Sequence, residues 1–334
     1  MSRGAALRRD LREVPWLRAA RRVFDRRPMH CGIYVTDRCN LACRYCAEFD
    51  NARPHPTLAE LERRIDLVAR LGVIKVALAG GEPLLHPEID GVVAHAKRRG
   101  LTVSLSTNAL LLDPPMLRRL ETAGLDSLQI SVDRVSPSRV TRKAFDSVRP
   151  ALELLRSSTI KAHLSGVICG DTLDEAGEVL RLGLDLGIPT ELRLVHGDDA
   201  GVQRVPEGDR QLLLELVDRQ LGLKQQGRPV HGTTAVLRHE RARLRGAPSP
   251  WRCVAGYKVF FVSATGHFWP CSVVRTNRPL EEITLEDLQS WDRPKPCQEG
   301  CGIACVIQHS LLMRGPLRYV AAEVAPRLRR YFRR

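Results

Sequence analysis

Between residues 31 and 196 the chain alternates short runs of branched apolar residues with longer stretches of helical periodicity, the pattern of repeated βα units on a parallel sheet. It predicts strands near 31–36, 73–79, 101–107, 126–132, 160–168 and 190–195, and helices near 57–71, 87–99, 114–123, 138–157 and 172–186. Asp113-Pro114-Pro115 reads as a helix start with proline in its first turn. Gly72, Gly100, Gly124 and Gly187 stand just past helix ends, where a left-handed residue is wanted. Within the strands, Ile74, Val76 and Leu78 share one face, as do Leu101, Val103 and Leu105, then Leu128, Ile130 and Val132, then Ile160, Ala162, Leu164 and Ile168. The alternate positions are polar: Thr102, Ser104 and Ser106; Ser127, Gln129, Ser131 and Asp133; His163, Ser165 and Cys169. Period 2 sends the two sets to opposite sides. The apolar side meets the crossover helices and the polar side lines the interior. A closed barrel fills its interior with branched apolar residues, so a polar interior implies an open barrel around a solvated cavity.

Gly197 to Gly208 is a polar loop leaving the barrel, and helical stretches follow near 206–226 and 233–245. Pro248-Ser249-Pro250 marks a boundary. Val259 to Ser263 and His267 to Pro270 then flank Thr265-Gly266 as a β-hairpin. The chain thus divides into a basic amphipathic segment (1–30), an α/β barrel (31–200), connecting helices (201–250), a cysteine-rich hairpin and helix segment (251–315) and a basic amphipathic C-terminal helix (316–334).

Charge sharpens the picture at the two ends. Of a net +14, residues 1–30 hold nine Arg against three acids, or +6, and residues 313–334 seven Arg against one acid, again +6, leaving +2 between. Trp16, Leu17, Ala20, Val23 and Phe24 form one face of the first segment; Leu317, Val320, Ala321, Val324, Leu328, Tyr331 and Phe332 form a stripe in the last. Such helices lie on anionic membrane or pack on the domain with solvated arginines. Arg outnumbers Lys 45 to 7, which weakens any argument from arginine alone. No apolar run approaches the ~20 residues that span a bilayer, and the N-terminus lacks a signal-peptide stretch. The ten cysteines cluster at metal spacings, pointing to a reducing cytoplasm, with peripheral contact at the inner membrane face an expectation from the basic ends.

The chemistry concentrates in Cys39-Asn40-Leu41-Ala42-Cys43-Arg44-Tyr45-Cys46. Three thiolates do not close a structural zinc site, but they hold three irons of a [4Fe–4S] cube whose fourth iron needs another ligand. This C-x3-C-x2-C, with an aromatic before the last cysteine, resembles the signature of the radical S-adenosylmethionine (SAM) superfamily. The resemblance implies a six-stranded partial (β/α) barrel and a SAM molecule chelating the open iron. It also implies one-electron cleavage to a 5′-deoxyadenosyl radical that takes hydrogen from substrate, and a flavodoxin- or ferredoxin-type reductant. It further implies contacts to SAM from Gly80-Gly81-Glu82 (amino group), Ser131 and Asp133 (ribose), Arg142 (carboxylate), Ser165, and Tyr45 (adenine). Thr107-Asn108-Ala109 resembles a family loop that is usually Thr-Asn-Gly. His86 is expected to cap the following helix, and Arg193 either holds an anionic group or pairs with a nearby acid.

Cys253, Cys271, Cys297, Cys301 and Cys305 resemble the SPASM/twitch extension of these enzymes, which holds auxiliary [4Fe–4S] clusters. Five cysteines suffice for one cluster; Cys253, Cys271 and Cys305 with either Cys297 or Cys301 are the favoured set, and a four-cysteine zinc site is the alternative. Cys31 reads as a buried thiol. Cys169, at the rim where barrels carry catalytic residues, is a candidate hydrogen donor.

The expected activity is an oxidoreductase-type radical SAM reaction at an unactivated C–H: oxidation, rearrangement or epimerisation of a small molecule. A membrane lipid or isoprenoid is the alternative substrate, since Gly80 to Ile89 resembles a stretch in radical SAM proteins of hopanoid synthesis. A peptide is expected less, because no leader-binding domain of ~80 residues precedes Cys39, and nucleic acid is not expected. A non-catalytic iron–sulfur carrier is the contrasting class, separated by a SAM-cleavage assay.

Overall fold

Six parallel strands, β1 (His30–Thr36), β2 (Lys75–Gly80), β3 (Thr102–Thr107), β4 (Ser127–Ser131), β5 (Lys161–Ile168) and β6 (Thr190–Leu194), lie side by side in chain order. They belong to a computed structural model that describes residues 22–46, 48–194, 207–299 and 301–323. Most of both basic ends, including Trp16, Leu17, Ala20, Val324, Leu328, Tyr331 and Phe332, lies outside the described residues.

Crossover helices α1 (Leu58–Leu71), α2 (Ile89–Arg98), α3 (Pro114–Ala123), α4 (Phe145–Leu155) and α5 (Leu173–Asp185) connect the strands. Local chemistry sets their ends. Thr57 caps α1 through a capping box with Glu60, and Asp113 accepts from the Met116 amide at the start of α3. Gly72 (φ +104°) closes α1 in the left-handed region that favours glycine. The apolar strand faces pack on these helices: Leu78, Leu105, Leu128, Ile130 and Leu164 are buried with Leu61, Ile65, Val92 and Val179 in one continuous core. Each such side chain contributes about 1.5–3 kcal/mol on burial.

The helix predicted over 138–157 is shorter, beginning at Phe145. Residues 138–144 form a loop because Thr141 and Lys143 are drawn toward the cysteine motif. The Asp133 amide bonds the Lys143 carbonyl at 2.8 Å, and the Thr141 hydroxyl meets Cys43 Sγ at 3.2 Å.

Helices α6 (Arg210–Gln225) and α7 (Thr234–Leu244) pack on one another. Between them Val230 bridges to Thr190, extending the sheet past β6. The hairpin β7 (Val259–Val262) and β8 (Phe268–Trp269) does the same at the other edge, where β7 pairs in parallel with β1. The cysteine-rich segment, with α8 (Leu285–Ser290) and α9 (Ala304–Arg314), thereby shares a sheet with the barrel. Lys258, its side chain wholly buried, ties the chain before β1 to this hairpin by donating to the carbonyls of Arg22, Asp25 and Arg27.

Candidate functional site

The cysteine motif leaves the C-terminal end of β1, and β2 runs close enough that its own end must be glycine. A Cβ on Gly80 (φ +135°) would collide with the Thr36 carbonyl, and one on Gly81 with the Arg38 carbonyl. These glycines therefore let β2 approach the cysteine loop, in addition to any approach to a ligand. The Gly81 and Glu82 amides donate to those same two carbonyls at 3.0 and 2.8 Å.

Cys39, Cys43 and Cys46 line one cavity of about 150 Å³. Gly80, Gly81 and Glu82, then Ser106, Thr107 and Asn108, and finally Ser131 and Lys143 share its wall. The Glu82 carboxylate accepts from the Thr107 hydroxyl (2.6 Å) and from the Asn108 and Leu84 amides (2.7 and 3.0 Å). It thus fixes the 107–108 loop against the motif, and Asn108 Nδ2 reaches on to Asn40 at 2.7 Å. Lys143 lies 5.4 Å from the Tyr45 ring centroid. Burial alone would lower its pKa; Asp133, then Cys43, Cys46 and Cys39, outweigh that and raise it.

Other residues expected at the ligand are not on this wall. Arg142 is exposed, and its neighbour Lys143 supplies the cavity's cation instead. Asp133 is buried and spent on the scaffold: it accepts from the Val167 amide (2.8 Å), the Tyr45 hydroxyl and the Thr141 hydroxyl (3.4 Å). Tyr45 is thereby turned to Asp133, and neither it nor Ser165 lines the cavity, although Ser165 sits in register beside Ser131. Cys169 is fully buried, its thiol 3.6 Å from the Thr172 hydroxyl, and does not reach the cavity. The helical period of 138–144 hides Lys143 and Thr141, and the polar alternation of these two around an exposed Arg142 was the available signal; Glu48, also on the cavity wall, lies just past the cysteine motif and carries no pattern of its own. His86 Nδ1 accepts from the Glu88 amide at 3.2 Å just before α2, while its Nε2 meets the Pro56 carbonyl at 2.8 Å; no side chain caps the first turn of that helix. Arg193 is paired with Glu191 and Glu240 at 3.1 and 3.5 Å.

A second group of sulfurs meets beside β7. Cys253, Cys271, Cys297 and Cys301 line one cavity whose other walls include Ala255, Val273, Val274 and Val306. Cys305 is not on that wall. It opens α9, within electrostatic reach of both Cys271 and Lys75. The structure thus gathers Cys297 and Cys301 together with Cys253 and Cys271 on one wall and leaves Cys305, a member of the favoured set, beside it: Cys297 rides on the turn at 296–298, and the neighbouring Gln298 Oε1 accepts from the Cys253 amide at 3.0 Å. Burial pushes the Cys301 thiol up to about 12. Sulfurs gathered in so apolar a place ionise when a metal takes the proton's place.

Comparison with known proteins agrees with this arrangement. The family model described as the radical SAM superfamily matches residues 33–183, the stretch holding all three cysteines, the Gly-Gly-Glu turn and Lys143. This stretch is a radical SAM domain. Among curated radical SAM relatives, the PqqA peptide cyclase of Gluconobacter oxydans is 32% identical over 48% of this chain and 47% of its own length. The GTP 3′,8-cyclase of Chlorobaculum tepidum is 39% identical over 40% and 42%. The chain spans about half the length of most of these relatives; with the PqqA peptide cyclase of Granulibacter bethesdensis the match reaches 81% of this chain and 79% of the relative, at 27% identity. Streptococcus suis SuiB has the same fold, with TM-score 0.62 at 17% identity over 86% of this chain and 72% of that one. So does anSMEcpe with bound AdoMet, with TM-score 0.61 at 15% identity over 89% and 100%.

A radical SAM domain takes a [4Fe–4S] cluster and SAM, and the cavity fits them. Three thiols share a wall on which, among the described residues, no fourth sulfur or imidazole stands, and Lys143 offsets the charge three thiolates bring.

Proposed function

We propose that this chain is a radical SAM enzyme acting on an unactivated C–H bond of a peptide, with the substrate held on the polar face between the two cysteine groups. One observation carries the reading: Cys39, Cys43 and Cys46 share a single cavity with Gly80, Gly81, Glu82, Ser131 and Lys143, and Ser131 belongs to the polar face of the sheet. When bound, the cluster and SAM supply one-electron cleavage and hydrogen-atom abstraction. The chain's own residues do the rest. Glu82 fixes the loop at 107–108, Lys143 balances the thiolates, and Ser131 and Ser165 carry the polar face inward. Cys253, Cys271, Cys297 and Cys301 would hold an auxiliary [4Fe–4S] cluster able to accept an electron from substrate, which would make the reaction an oxidation.

The sequence reading ranks a small molecule before a peptide. The relatives named PqqA peptide cyclase, one matched over most of its length, and SuiB, which has been solved bound to precursor peptide SuiA, support the reverse order. A small polar substrate is the second reading, supported by the relatives named GTP 3′,8-cyclase. The lipid reading rests on the basic ends, most of which lie outside the described residues, and on the stretch from Gly80 to Ile89.

The test is anaerobic reconstitution followed by SAM and dithionite. The wild type should hold about eight irons in two cubes and release 5′-deoxyadenosine. The Cys39, Cys43 and Cys46 triple alanine variant should keep roughly half the iron and release none; continued SAM cleavage by that variant would sink the proposal.

A further inference from the structure

On the polar face three further ligating side chains meet, with Lys75 near enough to influence all of them. His163 on β5, Glu191 on β6 and His231 just past the Val230 bridge to β6 bring one ligand atom each within 4.8 Å of one another. Register explains the meeting. Ser165 pairs with Glu191, and the His231 amide bonds the Thr190 carbonyl at 2.9 Å, so all three fall on one side of adjacent strands. The imidazoles stack at 3.6 Å with planes 9° apart. Among the described residues no protein hydrogen bond ends on a ring nitrogen of either, and burial keeps both rings neutral, His163 at about 3.

We propose that His163, Glu191 and His231 form a site for one divalent first-row transition metal. Two imidazoles and a carboxylate, with no sulfur, suit Fe²⁺, Mn²⁺ or Co²⁺ and leave coordination positions open. Ligand atoms bound to one ion at about 2.1 Å lie no more than about 4.2 Å apart, and a metal lies in the plane of each imidazole that binds it, so closing the trio draws the ligand atoms together and turns one ring out of the parallel stack. Glu191 is free to turn because its cation has another partner. Arg193 also faces Glu240, whose Oε2 is buried without a hydrogen bond, as are Arg193 Nε and Nη1. Gly232 (φ +73°) makes room for this; a Cβ there would meet Arg193 Nη2 and Glu191 Oε2 at 2.7 Å. Across the sheet Ser131, Ser165 and Glu191 stand in one row, which puts the site two strands, about 10 Å, from the wall of the SAM cavity. An oxygen of a substrate in the interior, carboxylate or phosphate, is the ligand an open position there would take.

The test uses the full chain with its clusters reconstituted and oxidised, titrated with Mn²⁺ and read by electron paramagnetic resonance. One Mn²⁺ should bind per chain, with pulsed spectra showing coupling to two imidazole nitrogens. His231→Gln and, separately, Glu191→Gln should weaken it by at least about tenfold, with iron content unchanged, while His239→Gln should not. Bound Mn²⁺ with fewer than two coupled nitrogens, no bound Mn²⁺, or equal binding by His231→Gln would overturn the proposal. SAM cleavage is not the readout, so this test and that of the proposed function fail separately.

Discussion

The Thr141 hydroxyl lies 3.2 Å from the Cys43 sulfur, although 98 residues separate them in the chain. The same hydroxyl is 3.4 Å from Asp133 and accepts from the Lys143 amide at 3.1 Å. One buried side chain thus joins the cysteine loop to the residues that end β4. Hydrogen bonds to cluster sulfurs raise the potential of the iron they bind. Thr141→Val should therefore lower the reduction potential of the SAM-site cluster and cost about 1–2 kcal/mol of stability. A redox titration followed by paramagnetic resonance would show it; an unchanged midpoint would mean the hydroxyl serves Asp133 alone.

The fifth C-terminal cysteine separates two ligand sets. Cys305→Ala should retain wild-type iron, because its thiol lies off the wall formed by Cys253, Cys271, Cys297 and Cys301. Cys301→Ala should lose close to half of it. Iron analysis after anaerobic reconstitution decides, and the opposite ranking would return Cys305 to the ligand set.

Glu82 offers a check on the loop at 107–108. Its carboxylate receives three donors and is 1% exposed. Glu82→Gln sets an amide N–H₂ against at least one of them, leaving donors facing each other. A loss of about 2–3 kcal/mol in urea unfolding and weaker SAM binding by calorimetry are expected. Unchanged stability would show that the 107–108 loop is held by other means.

His239 should make the protein acid-labile. Burial, then the Arg243 cation, hold its pKa at about 4, with the ring against Trp251 at 5.5 Å between centroids. The folded value lies below the ordinary value of 6.5. The unfolded chain therefore takes up a proton first as pH falls, and stability drops between about pH 6.5 and 4, by at most about 3 kcal/mol. Above pH 6.5 this residue contributes no slope. His239→Gln should flatten the loss measured by urea unfolding at pH 7.5 and 5.0.

Strand and helix positions in the barrel could be read from alternation because each strand buries one face against helices and presents the other to the interior. Leu78, Leu105 and Leu164 obey that rule strictly. The cysteine motif was legible because metal spacing is local in sequence. Lys143 and Thr141 were not, since a long-range bond to Cys43 overrode the helical period of 138–144. Asp133 was legible as an inward polar residue, but alternation gives a direction and not a partner. The Tyr45 hydroxyl and the Val167 amide claim that carboxylate from elsewhere in the chain. The site at His163, Glu191 and His231 was out of reach for the same reason, as its third member arrives by an extension of the sheet some 70 residues after the first.

The parallel pairing of β1 with β7 bears on how the chain is made. During synthesis β1 emerges more than two hundred residues before its partner Val259. Until then one edge of β1 offers unpaired backbone groups to any passing strand. Contacts of such sequence separation form slowly, and exposed edges in slow folders aggregate. Shortened forms ending before residue 259 should therefore collect in the insoluble fraction, even though every residue of the SAM cavity has already been synthesised.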